Sequence, residues 1–438
     1  MKVFDFKDRL DEELHDVRSV SDARAQVARR VRARARRRKL TAIPAALIIT
    51  VAIIVPLARL ISPTTRSPAG VDPMACAWAV TPTPSVSLES RGNFLNDVAA
   101  VGPDDVWAVG SAYLRGETGD SRPLIVHWDG SSWTVVPTPA AEGLLTSVAA
   151  VSTDDVWAVG SSSTPTGLVL HWDGDRWSVI EAADPGTRYW GFRGATAIGP
   201  DDVWAVGWTA TGGSGQPLTQ HWDGASWSVV PVPPVAPSPL TGQPYASFDA
   251  IAANQTDDVW AVGERTNVSP AGASNFLTAH WDGAVWTTFP VPDIPTQDGE
   301  VFNHLFDVAV AADGEALAVG SYSAEPGTGY GDLPADHEWD GTSWDPVPGP
   351  PSDLPPSAVA QVGGVWLTVA SGVPSFVEGQ RDLAGELSIW DGTWEVRPLP
   401  GTEGASLSGL SVSGTELWVV GSAPRDDGFN SMLAGRCS

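Results

Sequence analysis

Short apolar stretches rich in Val, Ala, Leu and Trp alternate along most of this chain with turns of Gly, Pro, Asp and Ser. That pattern reads as β-strands joined by tight turns. A longer period is laid over it. DDVWAVG occurs at 104–110, 154–160, 201–207 and 257–263, each time followed by HWDG, two residues and Trp at 127–133, 171–177, 221–227 and 280–286. Degraded copies of the first phrase follow at 316–320, 365–370 and 417–421. In the first complete unit the apolar runs predict strands over 95–101, 106–110, 124–128 and 133–136. Gly102-Pro103-Asp104 forms the first turn and Asp129-Gly130 the hairpin after the third strand, because Pro and Asp preset turn dihedrals and Gly accepts positive φ.

Four antiparallel strands repeated at a period of roughly fifty residues describe the blades of a propeller. The prediction is an all-β, seven-bladed β-propeller. Its closure is legible at the two ends. Fourth-strand tryptophans occur at Trp133, Trp177, Trp227, Trp286, Trp344 and Trp394, one fewer than the second-strand phrases. The missing one lies at the start, where Trp78-Ala-Val-Thr-Pro-Thr-Pro copies the run from Trp133. The N-terminal strand therefore closes the last blade. Both cysteines fall on this seam: Cys437 takes the third-strand place of Trp128, and Cys76 precedes Trp78 by two residues. A Cys76–Cys437 disulfide is expected, and with it an oxidising compartment. A two-cysteine metal or redox pair is the competing reading, for which CxxC spacing is absent.

The DDVWAVG…HWDGxxW repeat resembles that of actinobacterial exported or membrane-anchored β-propellers, in the neighbourhood of the kelch, galactose-oxidase-like and Asp-box propellers. The kelch Gly-Gly pair is lacking, and the Asp-box spacing DxGxxW is here DGxxW. The resemblance therefore implies the fold and transfers no functional residue.

Composition divides the chain. The first 39 residues hold 13 of the 26 basic residues and 7 of the 52 acidic ones, a formal +6, which leaves −32 for the rest. Residues 40–61 follow with Arg59 as their one charge, long enough to span the ~30 Å hydrocarbon core as a helix. The dense arginines on its N-terminal side predict a type II orientation, with a cytoplasmic N-terminus and an extracytoplasmic propeller at the cell membrane. The predicted organisation is thus a basic, helical juxtamembrane tail over 1–39, a transmembrane helix over 40–61, a linker over 62–72 and the propeller over 73–438. A cleavable signal peptide is the alternative reading, but Ala75-Cys76-Ala77 lies far beyond the apolar run. Anionic lipid is the expected counter-charge of the tail. A cytoplasmic protein partner is its second reading, since the tail resembles those of actinobacterial anti-sigma factors.

Residues present once per blade are spread around a ring and cannot converge on one small ligand. His127, His171, His221 and His280, and the Asp pairs that open each phrase, are therefore read as architecture and as no metal site. Function is expected where the repeat breaks, on the face carrying the second-to-third loops and the inter-blade links. Arg188, Tyr189, Trp190 and Arg193 there combine aromatic planes with guanidinium forks suited to sugars or carboxylates. Packing of Trp190 and Phe192 on a neighbouring blade is the competing reading. Asn96, Arg193 and Asp249 occupy matching places near the starts of innermost strands, facing the channel mouth. His304 is the one histidine beyond the tail outside the HWDG-like sites. Trp208, Tyr245, Glu264, Arg265, Tyr322 and Tyr330 are further candidates.

No HExxH, GxSxG, phosphate-cradling loop, nicotinamide fingerprint, EF-hand loop or CxxC is present. A lysine-free ring at −32 disfavours nucleic acid and suits divalent cations, cationic ligands or neutral glycans. No cofactor is expected; a structural divalent cation is the one group the charge would suit. The reading is a noncatalytic membrane-anchored binding module at the cell envelope, for a glycan, peptide or protein. The alternatives are a transmembrane sensor or anti-sigma-like regulator and, because carboxylates are plentiful, an envelope carbohydrate hydrolase or lyase.

Overall fold

The computed structural model describes residues 77–84, 90–114, 121–140, 142–164, 166–212, 214–237, 244–266, 274–292, 302–323, 333–352, 354–372, 384–414, 416–424 and 430–437. The predicted tail, membrane helix and linker, together with Cys76 and Tyr330, lie outside these residues. The described chain is all β; no helix in it is long and apolar enough to cross a membrane.

Strand β1 (Trp78–Thr81) comes first. The strands β2 (Ser90–Gly102), β3 (Asp105–Leu114), β4 (Ser121–Trp128) and β5 (Trp133–Val135) pair antiparallel in that order. The next set is β6 (Leu144–Ser152), β7 (Asp155–Ser161), β8 (Gly167–Trp172) and β9 (Trp177–Val179). It is followed by β10 (Tyr189–Gly199), β11 (Asp202–Thr211), β12 (Ser214–Trp222) and β13 (Trp227–Val229). Then come β14 (Ala246–Gln255), β15 (Asp258–Thr266), β16 (Ser274–Trp281) and β17 (Trp286–Phe289). In the next set β18 (Phe302–Val310) and β19 (Ala316–Ser323) meet a broken third strand, β20 (Leu333–Pro334) and β21 (His337–Trp339), before β22 (Trp344–Pro346). A regular set of β23 (Pro356–Val362), β24 (Val365–Ala370), β25 (Gly385–Trp390) and β26 (Trp394–Leu399) follows. The chain ends with β27 (Ser406–Ser413), β28 (Glu416–Pro424) and β29 (Asn430–Cys437), whose outer edge is filled by β1.

Each innermost strand packs beside the next: β2 on β6, then β10, β14, β18, β23 and β27, and β27 returns to β2. This closed cycle is the arrangement of a β-propeller. The seam is held by more than the strand ladder. Trp78 Nε1 donates to Pro400 O at 3.1 Å, Thr81 Oγ1 donates to Ala434 O at 3.0 Å, and Trp133 Nε1 donates to Thr81 Oγ1 at 3.0 Å. Cys437 stands opposite Leu417 and Trp78, as Trp128 stands opposite Val106 and Trp133.

The core lies between blades, and the repeated phrase explains it. The ring of Trp107 contacts its own blade's His127 at 4.2 Å, then Trp172 and Trp177 of the next blade at 5.0 and 5.4 Å. Trp157 and Trp204 repeat this nest with the tryptophans one blade on. Burying a tryptophan removes about 150–250 Å² from water, on the order of 4–6 kcal/mol before ordering entropy is counted. The histidine is fixed from the other side. His127, His171, His221 and His280 each bring Nε2 within 2.8–2.9 Å of the second Asp of the phrase, Asp105, Asp155, Asp202 or Asp258. Phrase residues thus tie the second strand to the third and the blade to its neighbour.

Two sequence readings change. The second and third strands run longer than predicted on the loop side, pairing out to Tyr113 and Ser121 in the first blade. His337 is not the repeat histidine of its blade. Glu338 stands opposite Leu317, the place that His127 takes opposite Trp107, so His337 is turned to the other face and is fully buried. A one-residue offset in a strand reverses every side chain.

The final Gly of the phrase is required by contact. A Cβ on Gly110, Gly160, Gly207, Gly263, Gly320 or Gly421 would lie 1.9–2.2 Å from a carbonyl oxygen of the innermost strand. Ala370 takes the equivalent place, opposite Pro356 at the start of β23. Gly207→Ala should therefore destabilise the propeller by about 1–3 kcal/mol or more, read as a lower urea midpoint. An unchanged midpoint would show that the close approach to Gly191 O is not a constraint.

Candidate functional site

That close approach marks a β-bulge. In every innermost strand the ladder skips one residue opposite the second strand: between Leu95 and Asp97, Leu145 and Ser147, Phe192 and Gly194, Phe248 and Ala250, Leu305 and Asp307, Pro356 and Ala358, and Leu407 and Gly409. A bulge leaves its extra residue unpaired and re-aims its side chain. The skipped residues are Asn96, Thr146, Arg193 and Asp249 in the first four blades, then Phe306, Ser357 and Ser408. All of them line one cavity of about 450 Å³ at the centre of the ring.

Four of these side chains do the same thing. Ser408 Oγ donates to Leu95 O at 2.7 Å, Asn96 Nδ2 to Leu145 O at 2.6 Å, Thr146 Oγ1 to Phe192 O at 3.1 Å and Ser357 Oγ to Leu407 O at 2.7 Å. Each ties its bulge to the strand of the next blade. Behind them, Asp97 accepts from Ser147 Oγ at 2.7 Å and from Val148 N at 2.9 Å, and Asp307 accepts from Val359 N at 2.8 Å.

Three consecutive blades break this rule. Arg193 forms a hydrogen-bonded ion pair with Asp249 Oδ1, and His304 Nε2 meets Asp249 Oδ2 at 2.9 Å. The Asp249 side chain is 13% exposed, with Arg193 at 33% and His304 at 27%, so the acid is covered and its two partners reach solvent. The imidazole ring also lies 4.7 Å from the ring of Phe306. Among the described residues Asp249 is the only hydrogen-bond partner of Arg193 and of the His304 ring.

Burial works against the charge of Asp249, but the hydrogen bond and charge of His304, with those of Arg193, hold its carboxyl below the ordinary value. Burial likewise opposes the His304 imidazolium, and Asp249, helped by Glu264, raises it above the ordinary value. Arg193 is pushed further toward the charged form by Asp249, Tyr245 and Glu264 in spite of burial. Elsewhere in the cavity lining, burial raises Asp97, and burial lifts Asp307 to about 7 with the charge of Asp97 adding to the rise. The cavity lining thus combines the Arg193–Asp249 pair with hydroxyls whose hydrogens are already committed.

Asn96, Arg193 and Asp249 line the cavity, and His304, outside its lining, bonds to Asp249. The structure places the other predicted residues elsewhere. Trp190 is 7% exposed, lies edge-on to Phe192 at 5.6 Å and covers Gly167 of the preceding blade, where a Cβ would come within 2.2 Å of its ring. Arg188 lies over the exposed ring of Tyr189 at 5.1 Å, away from the cavity lining. Tyr245 is 40% exposed, Trp208 is half-buried, and Tyr322 packs against an apolar cluster. Thr146, Phe306, Ser357, Ser408, Asp97 and Asp307 were not anticipated from sequence. A signal for them exists: a bulky apolar residue, a variable one, then Asp or a small residue, as in Leu95-Asn96-Asp97, Phe192-Arg193-Gly194 and Leu407-Ser408-Gly409. Among the described residues, no three His, Cys, Asp or Glu side chains converge to hold a metal ion.

No family model matches this chain, and no curated protein matches its sequence. Solved structures do resemble it. The chain is similar to YCF48 bound to D1 peptide at 14% identity, with 82% of this chain and 96% of that one covered and a TM-score of 0.46. It is similar to the β-propeller domain of the trilobed protease from Pyrococcus furiosus at 13% identity, with 79% and 94% covered and a TM-score of 0.48. A third similar structure is the polysaccharide lyase Uly1, at 8% identity with 81% and 91% covered and a TM-score of 0.50. At these identities the likeness concerns the propeller fold.

Asp307 and His304 give stability pH signatures of the same sign, each unfavourable to the fold as pH rises, over different ranges. A raised carboxyl makes the folded state the tighter proton binder, so Asp307 costs stability as pH rises from its ordinary 3.8 through about 7. Asp307→Asn should gain on the wild type between about pH 4 and about pH 8 in urea unfolding. The His304 contribution is fully present below the ordinary 6.5 and fades as pH rises through its elevated value. His304→Gln should therefore cost most near pH 6 and progressively less at alkaline pH, and a cost that grew with pH would contradict the pairing with Asp249.

Proposed function

We propose that this protein is a noncatalytic binding module of the cell envelope, a seven-bladed propeller held outside the membrane by residues 40–61, whose ligand enters the central cavity beside Arg193, Asp249 and His304. One observation carries the reading. Four blades use the bulge residue to brace the ring with a neutral hydrogen bond, whereas three successive blades place there a cation, an acid and an aromatic ring, with His304 alongside. Bracing does not require such a set. A rigid closed ring with one chemically distinct arc suits recognition of a glycan, a peptide or an exposed protein segment, because the donors are pre-positioned and little ordering entropy is lost on binding.

The membrane placement is supported by the charge asymmetry between residues 1–39 and the remainder and by the apolar run between them. Export also suits a Cys76–Cys437 disulfide at the seam. Support for that bond comes from the register that sets Trp78 opposite Cys437 and from the sequence, in which Cys76 precedes Trp78 by two residues. The bond would close a loop of about 360 residues, with an upper entropic contribution of about 5 to 6 kcal/mol.

The binding reading is tested by equilibrium binding of detergent-purified full-length protein to cell-wall fragments, glycans and peptides. Arg193→Gln and His304→Gln should each weaken binding about tenfold or more, while Arg188→Ala leaves it unchanged. Equal loss with Arg188→Ala would move the site to the Tyr189 edge, and turnover of a glycan would replace the module with a hydrolase or lyase. For the seam, non-reducing peptide mapping should recover Cys76 linked to Cys437, and Cys437→Ala should lower the melting temperature; recovery of both as free thiols would refute the bond and the argument for export built on it.

A further inference from the structure

A carboxylate beside a guanidinium can take both prongs of its fork, one on each oxygen. Asp249 does not. Arg193 reaches it through Nη1 and Oδ1 alone, while Oδ2 is occupied by His304 Nε2 at 2.9 Å. Nε and Nη2 of Arg193 have no partner among the described residues. Arg193 and Asp249 line the cavity. His304 lies outside that lining and touches it through its bond to Asp249 and through its ring contact with Phe306 at 4.7 Å.

Arg193 is the one cation in the lining. The other acids there already have donors of their own: Asp97 accepts from Val98 N, Ser147 Oγ and Val148 N, and Asp307 from Val308 N and Val359 N. We propose that the cavity takes the carboxylate of its ligand on the free edge of Arg193, and that His304 is the positioning residue that keeps this edge free by holding Asp249 Oδ2. The inference rests on the cavity being the binding site. Without the imidazole, Oδ2 is unmatched and can turn to Arg193, closing the fork within the pair. In the same lining Ser357 and Ser408 spend their hydroxyl hydrogens on Leu407 O and Leu95 O. Their oxygens still accept from the hydroxyls of a sugar acid or the amide N–H of a peptide C-terminus, the two sources of such a carboxylate.

His304 also makes the site respond to pH. The charged groups around its ring are Asp249 of β14, Glu264 of β15 and Arg193 of β10. Burial opposes the imidazolium, but the hydrogen bond and charge of Asp249, with Glu264, prevail over burial and Arg193 and raise it above the ordinary 6.5. β19 sets Ser321 opposite it, and β23, the innermost strand of the next blade, has no titratable residue. Below the elevated value the charges of Arg193, Asp249 and His304 sum to one positive; above it the imidazole still donates Nε2–H to Asp249, but the sum is zero. Carboxylate affinity is therefore greatest below that value and falls as pH rises through it. Asp307, on the same strand as His304, ionises through about 7 and acts in the same direction, so the two are separated by substitution.

Ligand-observed NMR titration of the detergent-purified full-length protein tests this with galacturonate against galacturonamide and N-acetylglycine against its amide. Near pH 6 at least one acid should bind about tenfold more tightly than its amide, and the pair that responds identifies the source. Arg193→Gln should abolish that preference, and His304→Ala should lose it at every pH. His304→Gln, whose amide can still donate to Oδ2, should match the wild type at alkaline pH and bind the acid about tenfold more weakly near pH 6. Asp307→Asn should keep the fall with pH that His304→Gln lacks. Unfolding cannot produce a loss confined to the acid side. Acids that bind no better than their amides, or not at all, overturn the carboxylate; cell-wall fragments that still bind and are lost in Arg193→Gln then leave the binding site standing. A wild-type pH profile in His304→Gln overturns the role of His304. Fragments that bind wild type and Arg193→Gln alike overturn both the inference and the site.

Discussion

No repeat of this protein can bury its own tryptophan. Trp107 lies under Trp172 and Trp177, Trp157 under Trp222 and Trp227, and Trp418 under Trp128 and Trp133. Every nest is completed one blade further on, so an open array would leave one face of large aromatics in water. Closure follows from this dependence. The last blade, lacking a fourth strand of its own, takes β1 from the start of the domain, and Trp78 and Thr81 tie it down. Where the nest tryptophan is replaced, at Leu317 and Leu367, the position is still completely buried, so the requirement is apolar volume between blades, met elsewhere with greater contact area.

Closure also dictates where chemistry can reside. Innermost strands crowd around the axis, and there a bulge in each of them turns one side chain inward. A Gly on the second strand makes room for the bulge, which explains why the repeat ends in Gly even where its other letters have decayed, as at Gly320 and Gly421. The bulge thereby separates two kinds of residue. Those that pair in the ladder are constrained by the repeat, and those that are skipped answer only to the cavity and to the next blade.

This separation accounts for what the sequence revealed. Trp107, His127 and Asp105 recur with their spacing intact, and their roles could be inferred from recurrence. The seam could be read from Trp78 and Cys437 because a missing strand leaves an arithmetic gap. Asn96, Arg193 and Asp249 stood out when innermost strands were aligned, and His304 because it departs from the repeat. Ser357, Ser408 and Thr146 did not, since small hydroxyl residues in a strand look like neutral drift until their carbonyl partners are known. Arg188 and Trp190 were prominent by composition, yet composition carries no direction: in β10 the bulge turns Arg193 inward while Trp190 folds onto the neighbouring blade. The offset of His337 is legible in the HEWDG spelling, where Glu338 takes the place before Trp339 that the repeat gives to His.

The charged arc is difficult to explain as a stabilising device. A neutral bond such as Ser408 to Leu95 O contributes about 1 kcal/mol at little desolvation cost. An ion pair that is largely covered must first offset the loss of water around both charges, and often only breaks even. Asp249 is the most covered member and is bonded by Arg193 and His304, so removing either partner would leave one of its buried oxygens unmatched, while replacing the whole set by the Ser and Thr used elsewhere would brace the ring as well. The fold has that cheaper solution available and uses it in four blades. Its absence from three adjacent blades, whose bulges carry Arg193, Asp249 and Phe306 instead, is a departure that ring stability does not require. The binding site proposed above would account for it, because a preorganised, partly desolvated set of charges at one cavity is what discriminates between bound molecules.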